Sequence, residues 1–97
     1  MNDERLFIVT YDISDQKRWR RVFKTMHGYG EWIQLSVFQC RLSRRRRAEM
    51  ETRLRELVKI GEDHVLLIEV GPADGIELAI ESIGKSFEKI ERRPTVI

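Results

Sequence analysis

The run Phe7-Ile8-Val9-Thr10-Tyr11-Asp12-Ile13 constrains this chain more than any other stretch. Its β-branched and aromatic content predicts a strand from Leu6 to Ile13. Alternation puts Phe7, Val9, Tyr11 and Ile13 on one face and Leu6, Ile8, Thr10 and Asp12 on the other. Both faces are apolar for most of their length, so both need cover. Helices can cover the first face. A second copy of the chain can cover the other, which ends in Thr10 and Asp12.

A helix is predicted directly after this strand. Ser14 or Asp15 can cap it, and Trp19, Val22, Phe23 and Met26 form its apolar stripe at i, i+3, i+4 and i+7. Lys17, Arg18, Arg20, Arg21 and Lys24 fill its other sides, with few acidic partners at i±4. Gly28 and Gly30 supply the stop and the turn. Glu31 to Arg41 is a second extended stretch, either one long strand or two short ones bent near Ser36. Ser43 caps a second helix, whose stripe is Met50, Leu54, Leu57 and Val58, with Gly61 at its end. Its first turn holds Arg44, Arg45, Arg46 and Arg47, and cations there cost about 0.3–1 kcal/mol each against the helix dipole. His64 to Val70 is a further strand, and Gly71 to Gly75 a turn cluster. Residues 76–83 lean to strand by alternation, and Thr95-Val96-Ile97 is β-like.

This order predicts a single α+β domain over residues 1–97, a ferredoxin-like two-layer sandwich (βαββαβ with an extra C-terminal strand). Residues 71–97 are its C-terminal extension, suited to clasp a partner subunit. Both helices would lie on one face of the sheet, leaving the other for that partner. No apolar run approaches a membrane span, and Met1-Asn2-Asp3-Glu4 lacks a secretory n-region, so a cytoplasmic protein without membrane contact is expected. Cys40 is the only cysteine, which excludes an intrachain disulfide and a thiolate metal cage.

Net charge is only +2, but it is unevenly spread. Residues 1–47 hold eleven Lys/Arg against five Asp/Glu, and residues 48–97 hold seven against eleven. A polyanion would dock on the first half. Arginine's planar fork matches two phosphate oxygens, so Arg18, Arg20, Arg21 and Arg44 to Arg47 suit a nucleic-acid backbone without reading its bases. Asp12, at a strand end, can hold Mg²⁺ together with water and a phosphate. The same Asp from a two-fold partner would supply the second carboxylate. Ser36 and Phe38, if they face the same side, can hold a phosphate or metal-bound water and stack on a base; core packing is the competing role for Phe38. His27 and His64 read as surface or turn histidines. Walker, GxGxxG, GxSxG and HExxH motifs are absent.

Tyr11-Asp12-Ile13, Ser14-Asp15 with Arg18, Arg20, Arg21 and Val22, then Tyr29-Gly30, and Gln34-Leu35-Ser36-Val37-Phe38-Gln39-Cys40-Arg41-Leu42 together resemble the Cas-two family of CRISPR spacer adaptation. The resemblance runs over residues 6–70, with a weaker likeness of Ile83-Gly84 to a late strand. It implies a homodimer with sheets face to face and one Mg²⁺ (or Mn²⁺) shared by the two Asp12 residues. It also implies a metal-dependent endonuclease acting on single-stranded RNA or double-stranded DNA, with Asp12, Ser36 and Phe38 at the catalytic centre. Within spacer acquisition the dimer would partner the Cas-one integrase. A non-catalytic DNA-binding scaffold is the alternative that the same surface allows.

Overall fold

A computed structural model describes residues 3–87. The elements are β1 (Arg5–Asp12), α1 (Gln16–Met26), β2 (Glu31–Gln34), β3 (Val37–Leu42), α2 (Arg44–Leu57) and β4 (His64–Pro72). The strands form one antiparallel sheet in the order β2-β3-β1-β4, the ferredoxin-like arrangement. β1 is central, with β3 on one side and β4 on the other.

The two caps form as the sequence predicts. Asp15 accepts from the Arg18 backbone N–H at 3.0 Å, and Ser43 from that of Arg46 at 3.1 Å. Val22 and Met26 of α1 and Met50 and Leu54 of α2 then bury against Phe7, Val9, Tyr11, Phe38, Cys40 and Leu42 of the sheet. Burial pushes the Cys40 thiol up to about 12, so it stays protonated and packs as a small apolar group.

The second extended stretch is a hairpin rather than one strand. It turns at Leu35-Ser36, with Leu35 at φ 43°. The indole N–H of Trp32 donates to the Leu35 carbonyl at 2.9 Å, and that of Trp19 to Ser36 Oγ at 2.8 Å, so two tryptophans brace the strained turn. Gly30, just before β2, lies so close to β3 that a Cβ there would collide with Cys40 Sγ and the Gln39 carbonyl. Gly30→Ala is therefore expected to destabilise the fold by about 1–3 kcal/mol, read from a urea melt.

Residues 76–83 do not form the strand that their alternation suggests; they run as irregular chain. A strand needs a ladder partner, and the chain leaves the sheet at Pro72. Arg41 then holds it, donating to the carbonyls of Ala73 at 2.7 Å and Ile76 at 2.6 Å. The expected Ile83-Gly84 strand is likewise irregular. Thr95-Val96-Ile97 lies outside the described residues. Among the described residues, no helix is long and apolar enough to cross a membrane.

Candidate metal and nucleic-acid site

The face of the sheet without helices carries Ile8, Thr10 and Val37, with Leu66 and Ile68 about half exposed. Asp12 closes this row at the end of β1, exposed, with His64 as its register partner on β4. Single-residue alternation thus sends Tyr11 into the core and Asp12 to the rim of an apolar surface.

Ser36 and Phe38 do not share that side. Phe38 pairs with Val9, and both are fully buried on the helix-covered face. Its neighbours are Tyr11, Phe23 and His27, with ring centroids 6.4, 5.7 and 5.2 Å away. Ser36 turns its hydroxyl to Trp19, and its carbonyl accepts from the Tyr11 backbone N–H at 3.2 Å. The hairpin turn sets this register, and register decides which face each side chain takes. Ser36 therefore holds the end of β1 through the backbone. The Tyr11 hydroxyl is buried without a hydrogen-bond partner.

The arginines divide into two groups. Arg18 is engaged: its Nε donates to Asp63 at 2.7 Å and its second guanidinium nitrogen reaches Glu62 at 3.4 Å. Arg46 donates to the Gly28 carbonyl at 2.7 Å and lies 4.5 Å from the Tyr29 ring centroid. Arg47 pairs with Glu51 at 3.3 Å and lies 5.4 Å from the Phe7 ring centroid. The arginine run at the start of α2 thus has a structural return, because two of its members seal that end of the core. Arg20, Arg21, Arg44 and Arg45 are exposed and make no ion pair among the described residues. They sit at opposite ends of the domain. α1 begins beside Asp12, whereas α2 begins beside Arg5, and β1 between them spans about 23 Å at about 3.3 Å per residue.

Sequence reasoning missed Asp63. Its side chain has no exposed surface. It accepts from the Ser14 backbone N–H at 3.0 Å, Ser14 Oγ at 3.2 Å, the Lys59 backbone N–H at 2.8 Å and the Arg18 guanidinium. Chiefly through Arg18, its carboxyl is held well below the usual carboxylate range. A depressed carboxylate contributes stability that is complete above its unfolded pKa, about 3.9, and is lost as pH falls through the folded value. The melting temperature of the native chain should therefore exceed that of Asp63→Asn by a constant margin above about pH 5, and the margin should shrink below pH 4.

Among the described residues, no three His, Cys, Asp or Glu gather closely enough to hold a metal ion. One chain offers Asp12, with His64 opposite it. That donor set is too small for a closed site; the Asp12 carboxylate alone is of the kind Mg²⁺ takes, since that ion binds through one or two carboxylates and retains water.

A family model described as CRISPR associated protein Cas2 matches residues 5–74. A CRISPR-associated endoribonuclease Cas2 from Rhodospirillum rubrum is 54% identical over 96 residues, covering 99% of this chain and 94% of the relative. One of the same description from Geobacter sulfurreducens is 53% identical, covering 97% and 99%. A solved Cas2 crystal structure superposes with a TM-score of 0.71 at 33% identity, covering 90% of this chain and 97% of its own. With that family model over residues 5–74 and these relatives along nearly its whole length, the chain belongs to the CRISPR-associated Cas2 family.

Proposed function

We propose that two copies of this chain join through the helix-free sheet face and act as a metal-dependent endonuclease on RNA or duplex DNA. The observation that carries this reading is Asp12 at the rim of the exposed apolar row, where a two-fold axis through that face would bring a second Asp12 to it. The relatives named as endoribonucleases support the class of reaction. The paired Asp12 carboxylates would hold Mg²⁺ or Mn²⁺, which supplies charge stabilisation at a scissile phosphate. This chain's own residues do the rest. The apolar row excludes water around the carboxylates, and Arg20 and Arg21 draw the phosphate backbone to that end. Ser36 fixes the end of β1. The test is a cleavage assay on single-stranded RNA and duplex DNA with Mg²⁺ against EDTA, alongside size-exclusion chromatography. Cleavage that EDTA does not reduce, or a monomer at assay concentration, would sink the reading.

The free arginines far from Asp12 favour a companion role as a DNA-holding subunit in spacer acquisition, with the Cas1 integrase as partner. Arg44 and Arg45 lie too far from Asp12 to serve the cleaved bond itself. Replacing both by serine should lower the salt slope of duplex binding by about 0.9 per lost phosphate contact. Cleavage of short RNA should stay near the native rate. An unchanged slope would remove these two arginines from the interface.

A further inference from the structure

We propose that Asp63 is a positioning residue for Asp12, acting through Ser14 and Arg18 on the end of β1. The inference rests on the metal-site reading above and deepens it. Ser14 lies two residues beyond Asp12, and Asp63 immediately precedes His64, the register partner of Asp12. One carboxylate therefore ties together the two backbone segments that converge on the site.

Its five contacts come from three places. Oδ1 accepts from the Ser14 backbone N–H (3.0 Å), Ser14 Oγ (3.2 Å) and Arg18 (3.2 Å). Oδ2 accepts from Arg18 Nε (2.7 Å) and the Lys59 backbone N–H (2.8 Å). Glu62 and Ser14 Oγ take the remaining reach of the Arg18 guanidinium, at 3.4 and 3.2 Å. In the other ion pairs of the described residues every side chain keeps about a third or more of its surface exposed, and such pairs hold geometry weakly. This one is different because the Asp63 side chain is sealed from solvent and its oxygens are saturated.

The Ser14 N–H would otherwise be free at the turn between β1 and α1. With it fixed from below, the last residues of β1 have two tethers besides their ladder with β4. Asp63 holds one side, and the Ser36 carbonyl holds Tyr11 on the other. Asp12 lies between these tethers, paired with His64 in the ladder, and its carboxylate makes no hydrogen bond among the described residues. A ligand carboxylate that is not itself hydrogen-bonded takes its direction from the backbone that carries it. Groups that orient a metal ligand typically change metal affinity 10- to 100-fold when removed. Arg18, on this account, serves the site from beneath and is not a phosphate contact.

The test titrates Mn²⁺ into the intact protein without nucleic acid, followed by the EPR signal of the free ion. Nucleic-acid binding is measured separately in EDTA. Asp63→Asn keeps the size but places an amide N–H₂ against donors, and Arg18→Lys keeps the charge but loses the fork. Both should weaken Mn²⁺ binding about 10-fold or more, with RNA affinity in EDTA unchanged within about twofold. Asp12→Ala should abolish Mn²⁺ binding. If Asp12→Ala loses the ion but Asp63→Asn and Arg18→Lys bind it as the native chain does, the positioning role is overturned and the metal site stands. If Asp12→Ala itself binds Mn²⁺ normally, the metal-site reading falls and this inference with it. An Arg18→Lys variant that loses RNA affinity while keeping Mn²⁺ affinity makes Arg18 a phosphate contact and also overturns the proposal. Should Asp63→Asn fail to fold, Arg18→Lys and Ser14→Ala carry the same comparison.

Discussion

Asp12→Ala is expected to lower metal-dependent cleavage by at least about 10²–10³-fold while leaving the melting temperature nearly unchanged. The two halves of this expectation have separate origins. Asp12 is exposed at the last position of β1 and supports no packing, so its removal falls in the class of surface substitutions that move stability by about 0.5 kcal/mol or less. On the proposed function its chemical contribution would be large, because Asp12 would hold the divalent ion that supplies charge stabilisation in the transition state. The proposed symmetry adds a third consequence. Two ionised carboxylates about 4 Å apart repel by about 4 kcal/mol at an effective dielectric of 20. The native dimer should therefore weaken in EDTA and tighten with Mg²⁺, whereas the Asp12→Ala dimer should be indifferent to both. Sedimentation across a concentration series reads this directly. A variant that still cleaves, with EDTA sensitivity intact, would place the reaction elsewhere.

The parts of this molecule that local chemistry dictates are legible in the sequence. β1 is apolar on both faces, the stripes of α1 and α2 keep helical spacing, and Asp15 and Ser43 stand where caps belong. From these follow the layers, the helix-free face and the place of Asp12 at its rim. What was not legible depends on register and on contacts distant in sequence. The β2–β3 turn is built on Leu35 at φ 43°, and leucine gives no turn signal of the kind glycine or asparagine would. Without that turn, Ser36 and Phe38 fall on the wrong face. Arg18 and Asp63 are 45 residues apart, and only the closed sheet brings the loop before β4 against the start of α1. The four arginines that open α2, Arg44 to Arg47, look alike in the sequence. They differ because Arg46 and Arg47 have rings beneath them and Arg44 and Arg45 do not. Residues 76–83 alternate like a strand, but alternation states only which faces would be apolar, not that an edge is available to pair.

Phe38 is where the two readings of the sequence part most sharply, and Phe38→Ala should separate them. The ring has no exposed surface and sits among Tyr11, Phe23 and His27. Truncating such a residue to alanine costs about 3–5 kcal/mol, from lost transfer energy and the cavity left behind. A domain of this size has about 5–15 kcal/mol in total, so Phe38→Ala should melt far earlier and lose activity through unfolding. Phe38→Leu keeps the site apolar and fills more of it, at a cost of about 1–2 kcal/mol. A base-stacking platform behaves otherwise. Removing it costs about 1–3 kcal/mol of nucleic-acid affinity per base and leaves stability alone, and leucine would not restore it. The expected result is therefore a Phe38→Leu protein that melts slightly early but binds RNA with native affinity per folded molecule. Native stability combined with lost affinity would require Phe38 to leave the core on binding. It would then have to break the contacts that hold β3 against α1, and with them the Ser36 tether beside Asp12.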